Sequence, residues 1–185
     1  AKRLADPANP NAPGPMGLPA IFTDKDASPF FKSNLALAYA RSLAHRRVFE
    51  QALDVLNTTQ ASHVVDPGSY LFHKAVCQHG LLQREDARQT IDQMLTDVID
   101  VPERYKTVGV LILLDMETWK SKDLGAVARL MDNSARMLDL SRAGKNTQKV
   151  QKEIIHRLDE LIKELENKAK DGDCDCEGDG EGKGG

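Results

Sequence analysis

The feature of this sequence that most limits its fold is a repeated spacing of alanines inside helical patterns. Ala40 and Ala52 lie 12 residues apart, and Ala75 and Ala87 repeat that spacing 35 residues later. A large aliphatic residue follows the second alanine of each pair by four positions, as the period of a helix requires. Because small side chains let two helices approach closely, the sequence predicts two similar helix pairs in succession.

Several helix starts are marked by proline and by residues that cap helices. Ser28 and Asp66 are each followed by a proline, and Pro102 and Asp123 precede two further segments with helical periodicity. Ser and Asp accept hydrogen bonds from the free N–H groups of a first turn, where proline is tolerated. No segment alternates with the period of a strand. We therefore predict an all-α fold of about seven helices, with the fifth the most apolar and the most buried.

Prolines and glycines crowd into the two ends of the chain, and the periodic apolar residues lie between them. This distribution divides the chain into four parts. We predict a flexible Pro-rich arm at 1–28 and a helical-hairpin repeat domain at 29–146. A long C-terminal helix at 147–170 packs on the repeats, and an acidic, Gly-rich, disordered tail follows at 171–185.

The alanine spacing over residues 33–99 resembles the tetratricopeptide repeat, whose period is ~34 residues. Where the first helix of that repeat carries a tryptophan, this chain has Ala36 and Leu71. The resemblance implies antiparallel helical hairpins stacked as a short solenoid. In that arrangement residues 102–139 form a looser third hairpin, and the long C-terminal helix caps the stack.

Four segments are similar to an uncharacterised bacterial protein family whose members are often exported: "DPGSYLFHKAV", "DVPERY", "LMDNSARMLDLSRAGKNTQKVQKEII" and "LDELIKELE". That resemblance implies no activity. It slightly favours an exported or periplasmic location over a cytoplasmic one.

A tetratricopeptide-like stack implies a groove lined by the first helix of each hairpin, where a partner peptide or partner helix binds. The function expected from the resemblance is a non-catalytic scaffold for protein–protein interaction. The net charge of −3 argues against strong nucleic-acid binding. The candidate partner-binding residues are polar or aromatic positions on those first helices: Asn34, Tyr39, Arg41, Tyr70, His73, Gln78, Tyr105 and Lys106.

The C-terminal helix leaves two interpretations open. Ile155, Leu158, Ile162 and Leu165 are spaced by three, four and three residues, which is the pattern of a coiled-coil contact. The same helix has further apolar residues on one flank, which favours packing on the last hairpin. The chain is therefore either capped by this helix or made into a homo-oligomer through it.

No residue pattern indicates catalysis, a metal site or a cofactor. His73 and Cys77 share a helix face, but zinc needs three or four protein ligands. Asp115 lies among apolar residues, where its carboxyl group lacks a second organised polar group. Cys174 and Cys176 lie in the tail between acidic residues, and a metal-binding role of this tail is the second alternative function, although its glycines make an ordered metal site entropically costly. No apolar run is long enough to insert in a membrane.

Overall fold

The computed structural model describes residues 17–173, with side chains described as far as Lys170. Within this range it contains seven α-helices, two short 3-10 turns and no strand, which confirms the all-α class. Residues 1–16 of the predicted arm, and all of the predicted tail beyond Asp173, lie outside the described residues. The helices are α1 (Pro29–His45), α2 (Phe49–Leu56), α3 (Pro67–Gly80), α4 (Arg84–Asp97), α5 (Glu103–Glu117), α6 (Leu124–Asp139) and α7 (Lys145–Asp173).

The predicted capping residues precede their helices, but only Asp66 and Asp123 cap with their side chains, whereas the Ser28 side chain makes no capping hydrogen bond at the start of α1. The Asp66 side chain accepts a hydrogen bond from the Ser69 N–H at 2.8 Å at the start of α3. Asp123 does the same for the Ala126 N–H at 2.8 Å at the start of α6. Pro102 immediately precedes α5. These contacts satisfy N–H groups that have no partner within the helix.

The core is built by the first five helices. α1 packs on α2 and α3, α3 packs on α4 and α5, and α4 also packs on α5. All four alanines of the repeated spacing are buried, with exposed fractions of 1% or less. Small residues therefore stand where the helices come together, as the spacing predicted. The largest fully buried side chains are Leu43, Leu56, Ile91, Met94 and Met116.

Part of the N-terminal arm docks on this core. Ala20–Phe22 form a 3-10 turn, and the Phe22 ring lies 5.8 Å from the Tyr39 ring, centroid to centroid. Phe22 is partly buried against the core, whereas Leu18 is exposed. Phe22 therefore anchors this part of the predicted arm on the core.

Three helices end in the same tight turn, and none of the three turns uses glycine. Arg47, Leu82 and Ser141 have φ angles of 57°, 61° and 57°. After each one, the next N–H donates to the carbonyl five residues earlier, which is the Schellman pattern. Arg47 and Leu82 are 35 residues apart, the same interval as the alanine pairs. The 35-residue period of the alanine pairs is therefore repeated in the backbone conformation of the turns at Arg47 and Leu82.

The predicted third helix pair is formed by different helices from those expected. We expected residues 102–139 to pair α5 with α6. The structure instead packs α6 on α7, and α5 and α6 do not pack along their lengths. The left-handed turn at Ser141 joins α6 to α7 and comes before Gly144 in the chain.

The prediction that α5 is the most buried helix is wrong. Only Tyr105, Gly109 and Met116 are buried on it. Val110, Leu111 and Leu114 expose 44%, 58% and 53% of their surface. Because α6 does not pack on α5, this face of the helix has no neighbour among the described helices.

α6 is tied to the first helices by Arg136, which is only 2% exposed. Its guanidinium donates to the Arg47 carbonyl at 2.9 Å and to the Glu50 carboxylate at 3.1 Å. Asn133 accepts a further hydrogen bond at 2.7 Å, and the Phe49 ring centroid lies 5.2 Å away. Burial alone would raise the pKa of the Glu50 carboxyl, but the hydrogen bond and charge of Arg136 bring it below its ordinary value.

We predict that Arg136→Met lowers the free energy of unfolding by roughly 2 kcal/mol, because it removes the donor of the Arg47 carbonyl and leaves the Glu50 carboxylate with only the 3.4 Å side-chain hydrogen bond from Arg142. Urea unfolding measures this. Arg88→Met is the matched control, since Arg88 pairs only on the exposed surface of α4. We expect that control to change stability by less than about 0.5 kcal/mol. Equal losses in the two variants would contradict a special role for Arg136.

We also predict that Ser141→Gly stabilises the protein by about 0.5–1 kcal/mol, because the left-handed conformation costs a residue with a Cβ more than it costs glycine. Ser141 is exposed, so the change removes little packing. Thermal unfolding measures the gain, and Ser141→Ala should not show it. A loss of stability in Ser141→Gly would mean that the Ser141 side chain contributes a contact that outweighs the backbone strain.

Candidate functional site

The most unusual side chain in the described structure is His73, in the middle of α3. It is 5% exposed, and neither ring nitrogen has a hydrogen-bond partner among the described residues. Aromatic rings surround it: the centroids of Phe72, Tyr105 and His45 lie 5.2, 6.1 and 6.1 Å from its own. Buried polar groups are nearly always paired in folded proteins, so this imidazole is a candidate for contact with something outside the chain.

Cationic side chains from two other helices act on this imidazole. Burial lowers the pKa of His73 most, and the charges of Arg41 and His45 on α1 and of Arg104 on α5 lower it further. Asp66 opposes them, and the resulting pKa is about 4. His73 is therefore neutral near pH 7, with one ring nitrogen able to donate and the other able to accept.

Tyr105 connects Arg104 to this group. The Arg104 guanidinium lies 4.9 Å from the Tyr105 ring centroid, and it donates to the Tyr105 hydroxyl at 3.4 Å. The Tyr105 ring stacks on Phe72 at 4.1 Å. Burial alone would raise the pKa of the Tyr105 phenol, but neighbouring donors and the charges of Arg104 and Arg41 bring it below its ordinary value. The group from three helices, hereafter the basic cluster, consists of Arg41, His45, His73, Arg104 and Tyr105.

Two of the predicted partner-binding residues have structural roles instead. Asn34 donates to the Phe30 carbonyl at 2.8 Å and accepts from the Val65 N–H at 2.9 Å, which ties a loop to α1. The Tyr70 hydroxyl donates toward the carbonyls of Leu56 and Thr59, at 3.2 and 3.1 Å. Tyr70 is 3% exposed, and burial raises the pKa of its phenol. Their polar groups are already used by the backbone, so the structure does not favour either as a partner contact.

Three other predicted residues also lie apart from the basic cluster. Tyr39 is 4% exposed and packs in the core beside Phe22, and burial raises the pKa of its phenol although Arg46 opposes this. Gln78 is buried within α3. Lys106 is half-buried and forms an ion pair with Glu103 at 2.9 Å. Of the eight predicted residues, the structure brings together Arg41, His73 and Tyr105.

Sequence reasoning missed His45 and Arg104. His45 lies four residues after Arg41, which places both on one face of α1. Arg104 precedes Tyr105 and reaches back over its ring. The four-residue spacing between Arg41 and His45 could have indicated His45. The position of the Arg104 guanidinium over the Tyr105 ring depends on a rotamer that the sequence does not determine.

Cys77 is fully buried, and burial raises the pKa of its thiol to about 12, with Glu50 adding to the rise and Arg136 opposing it. A thiol that stays protonated is a poor nucleophile and a poor metal ligand. No group of three or more His, Cys, Asp or Glu residues in the described part of the chain is arranged to hold a metal. Cys174 and Cys176 lie outside the described residues.

The Asp115 carboxylate takes part in a surface network. It accepts hydrogen bonds from His79 at 2.9 Å and from the Trp119 indole N–H at 3.0 Å. The Arg129 guanidinium lies 4.9 Å from the Trp119 ring centroid. This network links α3 and α5 to α6, so a structural role accounts for the hydrogen bonds of the Asp115 carboxylate.

On α7, the residues predicted for self-association are mostly exposed. Ile155, Ile162 and Leu165 expose 60%, 52% and 65% of their surface, and Leu158 is half-buried. The neighbouring Ile154 is buried where α7 packs on α6. The helix thus contacts the rest of the chain with one face and leaves the predicted coiled-coil face open.

Comparison with protein-family models, curated proteins and solved structures finds no significant match to this chain. Within residues 17–173, no helix is long and apolar enough to cross a membrane. The basic cluster and the exposed faces of the helices are therefore the features of this chain that bear on its function.

We predict that the buried His73 makes the protein less stable in acid. The unfolded imidazole has its ordinary pKa of 6.5 and the folded one about 4. Between these values the unfolded chain binds a proton that the folded chain does not, so stability falls as the pH falls from 6.5 to 4. The loss attributable to His73 is at most roughly 3 kcal/mol. Urea unfolding at several pH values in this window measures it.

In His73→Leu this part of the pH dependence should disappear, whereas His63→Gln should retain it because His63 is exposed. Parallel stability–pH curves for the wild type and His73→Leu would contradict the assignment. Arg41, His45, Arg104, Tyr105 and Asp66 face the imidazole in all the variants, so their contributions are held constant.

Proposed function

We propose that this chain is a non-catalytic protein-binding module that recognises an acidic segment of a partner protein on the face formed by α1, α3 and α5. The observation that supports the proposal is the basic cluster. A buried, unpartnered imidazole on α3 lies among two arginines and a second histidine from α1 and α5.

The proposed arrangement is a short solenoid of helical hairpins similar to the tetratricopeptide repeat. α1–α2 and α3–α4 are the two matched hairpins, supported by the 35-residue interval between the turns at Arg47 and Leu82. α1 packs on α3, and α3 packs on α5. First helices that adjoin one another in this way form one surface along which an extended peptide can lie.

The charges of the cluster favour a carboxylate-bearing ligand. Neither Arg41 nor Arg104 forms an ion pair with another residue of the described chain. Asp66 is the carboxylate that acts on the same imidazole, and it also caps α3. Hydrogen bonds between guanidinium groups and carboxylates are stronger than neutral ones and can be bidentate. An acidic peptide would supply acceptors to both arginines.

His73 and Tyr105 would add specificity. The nitrogens of this neutral imidazole are buried in the free chain, so donating a hydrogen bond to a carboxylate oxygen or to a backbone carbonyl of the peptide requires the ring to turn toward the surface. Leaving such a buried group unpaired costs free energy, so a ligand that satisfies it gains affinity. The Tyr105 ring is fixed by stacking on Phe72, so little side-chain entropy is lost when a peptide packs beside it.

The test uses three labelled peptides of equal length: one with Glu and Asp between apolar residues, one with each acid replaced by Gln, and one with each acid replaced by Lys. We expect fluorescence anisotropy to show binding of the acidic peptide only, weakening as salt is added. Arg41→Gln combined with Arg104→Gln should weaken it by ~10- to 100-fold, because two charge-assisted hydrogen bonds are lost.

The matched control is Arg88→Gln combined with Lys149→Gln, which removes the same charge from exposed positions outside the cluster. This control should leave the affinity within about threefold of the wild type. Equal weakening by the two double variants would show that net charge, and not the cluster, attracts the peptide. Binding of the Gln peptide as tightly as the acidic one would contradict the proposed ligand class.

A further inference from the structure

α7 carries an apolar stripe that the described chain leaves mostly uncovered, with Leu158 half-buried and the other members exposed. The stripe consists of Ile155, Leu158, Ile162 and Leu165 and is hereafter the α7 stripe. Its spacing is that of the a and d positions of a coiled coil. Ile154, one residue away, faces α6 and is buried. The stripe therefore lies beside the contact with α6 and remains open to a second helix.

Beyond Leu161, α7 buries no side chain against the rest of the described chain. Leu161 is half-buried, and every side chain from residue 162 to residue 170 is exposed. α7 spans 29 residues, a length of about 43 Å. Helices in water owe most of their stability to packing of an apolar face. A contact along the α7 stripe would supply that packing to the half of the helix that lacks it.

We propose that the α7 stripe binds a second copy of this chain, with the two α7 helices antiparallel. In this register Ile155 lies opposite Leu165 of the second copy, and Leu158 lies opposite Ile162 of the second copy. Two-fold symmetry repeats both layers, so all eight stripe residues are covered at once. The same patch serves both chains, as an isologous dimer requires.

Charges beside the stripe favour this orientation. In the antiparallel register, Lys152 lies next to Glu166 of the second copy, and symmetry gives two such pairs. A parallel pair would instead place Ile154 next to Asp159, and Leu161 next to Glu166, with no ion pair at these positions. Opposite charges that flank a coiled-coil contact select orientation.

One contact beside the stripe would destabilise the antiparallel dimer. Asp159 lies opposite Asp159 of the second copy at the centre of the antiparallel register, and like charges at this distance repel. Asp159→Asn should therefore tighten the antiparallel dimer by a few-fold, on the order of 3- to 10-fold. In a parallel dimer Asp159 lies next to Ile154 and the same change would leave the affinity unaltered.

Sedimentation velocity of the full chain over a wide concentration range tests the dimer. We expect the mass to rise from one chain to two with increasing concentration. Ile162→Asp combined with Leu165→Asp should raise the dissociation constant at least ~30-fold, since it buries charges without partners. Both positions are exposed in the single chain, so unfolding of the core is not expected, and circular dichroism at low concentration checks this.

The matched control is Lys163→Asn combined with Asn167→Asp, which adds the same negative charge on the outward face of α7. It should dimerise like the wild type. A mass of one chain at every concentration would overturn the proposal. Dimerisation of the Ile162→Asp/Leu165→Asp variant at wild-type strength would also overturn it, by moving the interface elsewhere, such as the exposed face of α5.

Disulfide trapping tests the orientation. Gln151 and Ala169 lie in line with the stripe at its two ends. In a Cys174→Ser/Cys176→Ser background, a mixture of Gln151→Cys and Ala169→Cys chains should form the mixed disulfide under mild oxidation, and neither variant alone should cross-link. Cross-linking of each variant with itself, without the mixed product, would establish a parallel pair and overturn the antiparallel register.

Discussion

The placement of α6 and α7 depends on the buried guanidinium of Arg136. A buried charge is costly unless its donors and its charge are matched. Here the Glu50 carboxylate, the Arg47 carbonyl and Asn133 supply the acceptors, and the Phe49 ring lies beside it. Because α5 and α6 do not pack along their lengths, this polar contact replaces the apolar contact that a regular third hairpin would have made. The same carboxylate also adds to the rise in the pKa of the Cys77 thiol.

The helices themselves were predictable because their signals are local. Capping by Asp66 and Asp123, and the burial of the repeated alanines, follow from rules that need no knowledge of the rest of the chain. The wrong predictions concern which helices pack against one another. α5 is the most apolar helix by sequence, but apolar content does not say which helix lies beside it, and Leu111 and Leu114 are exposed. The turn after α6 has no glycine to mark it in the sequence, because Ser141 adopts the left-handed conformation.

The candidate site was predictable only in part, for a similar reason. Placing polar residues on the first helix of each pair was enough to select Arg41, His73 and Tyr105, which the structure brings together. The same rule selected Asn34 and Tyr70, whose polar groups bind backbone carbonyls and N–H groups instead. Helical spacing shows which way a side chain points. It does not show whether a loop elsewhere in the chain already occupies its hydrogen bonds.

The two proposed surfaces lie on different parts of the chain, and together they have a consequence that neither has alone. The basic cluster lies on α1, α3 and α5, whereas the α7 stripe lies on the helix that packs on α6. A dimer through α7 would therefore leave both basic clusters available. A partner with two acidic segments could then bind both at once, and the second contact would form at a high effective concentration. Weak binding at a single cluster would in that case be compatible with tight binding by the dimer, because affinity would depend on the spacing between the two acidic segments as well as on their charge.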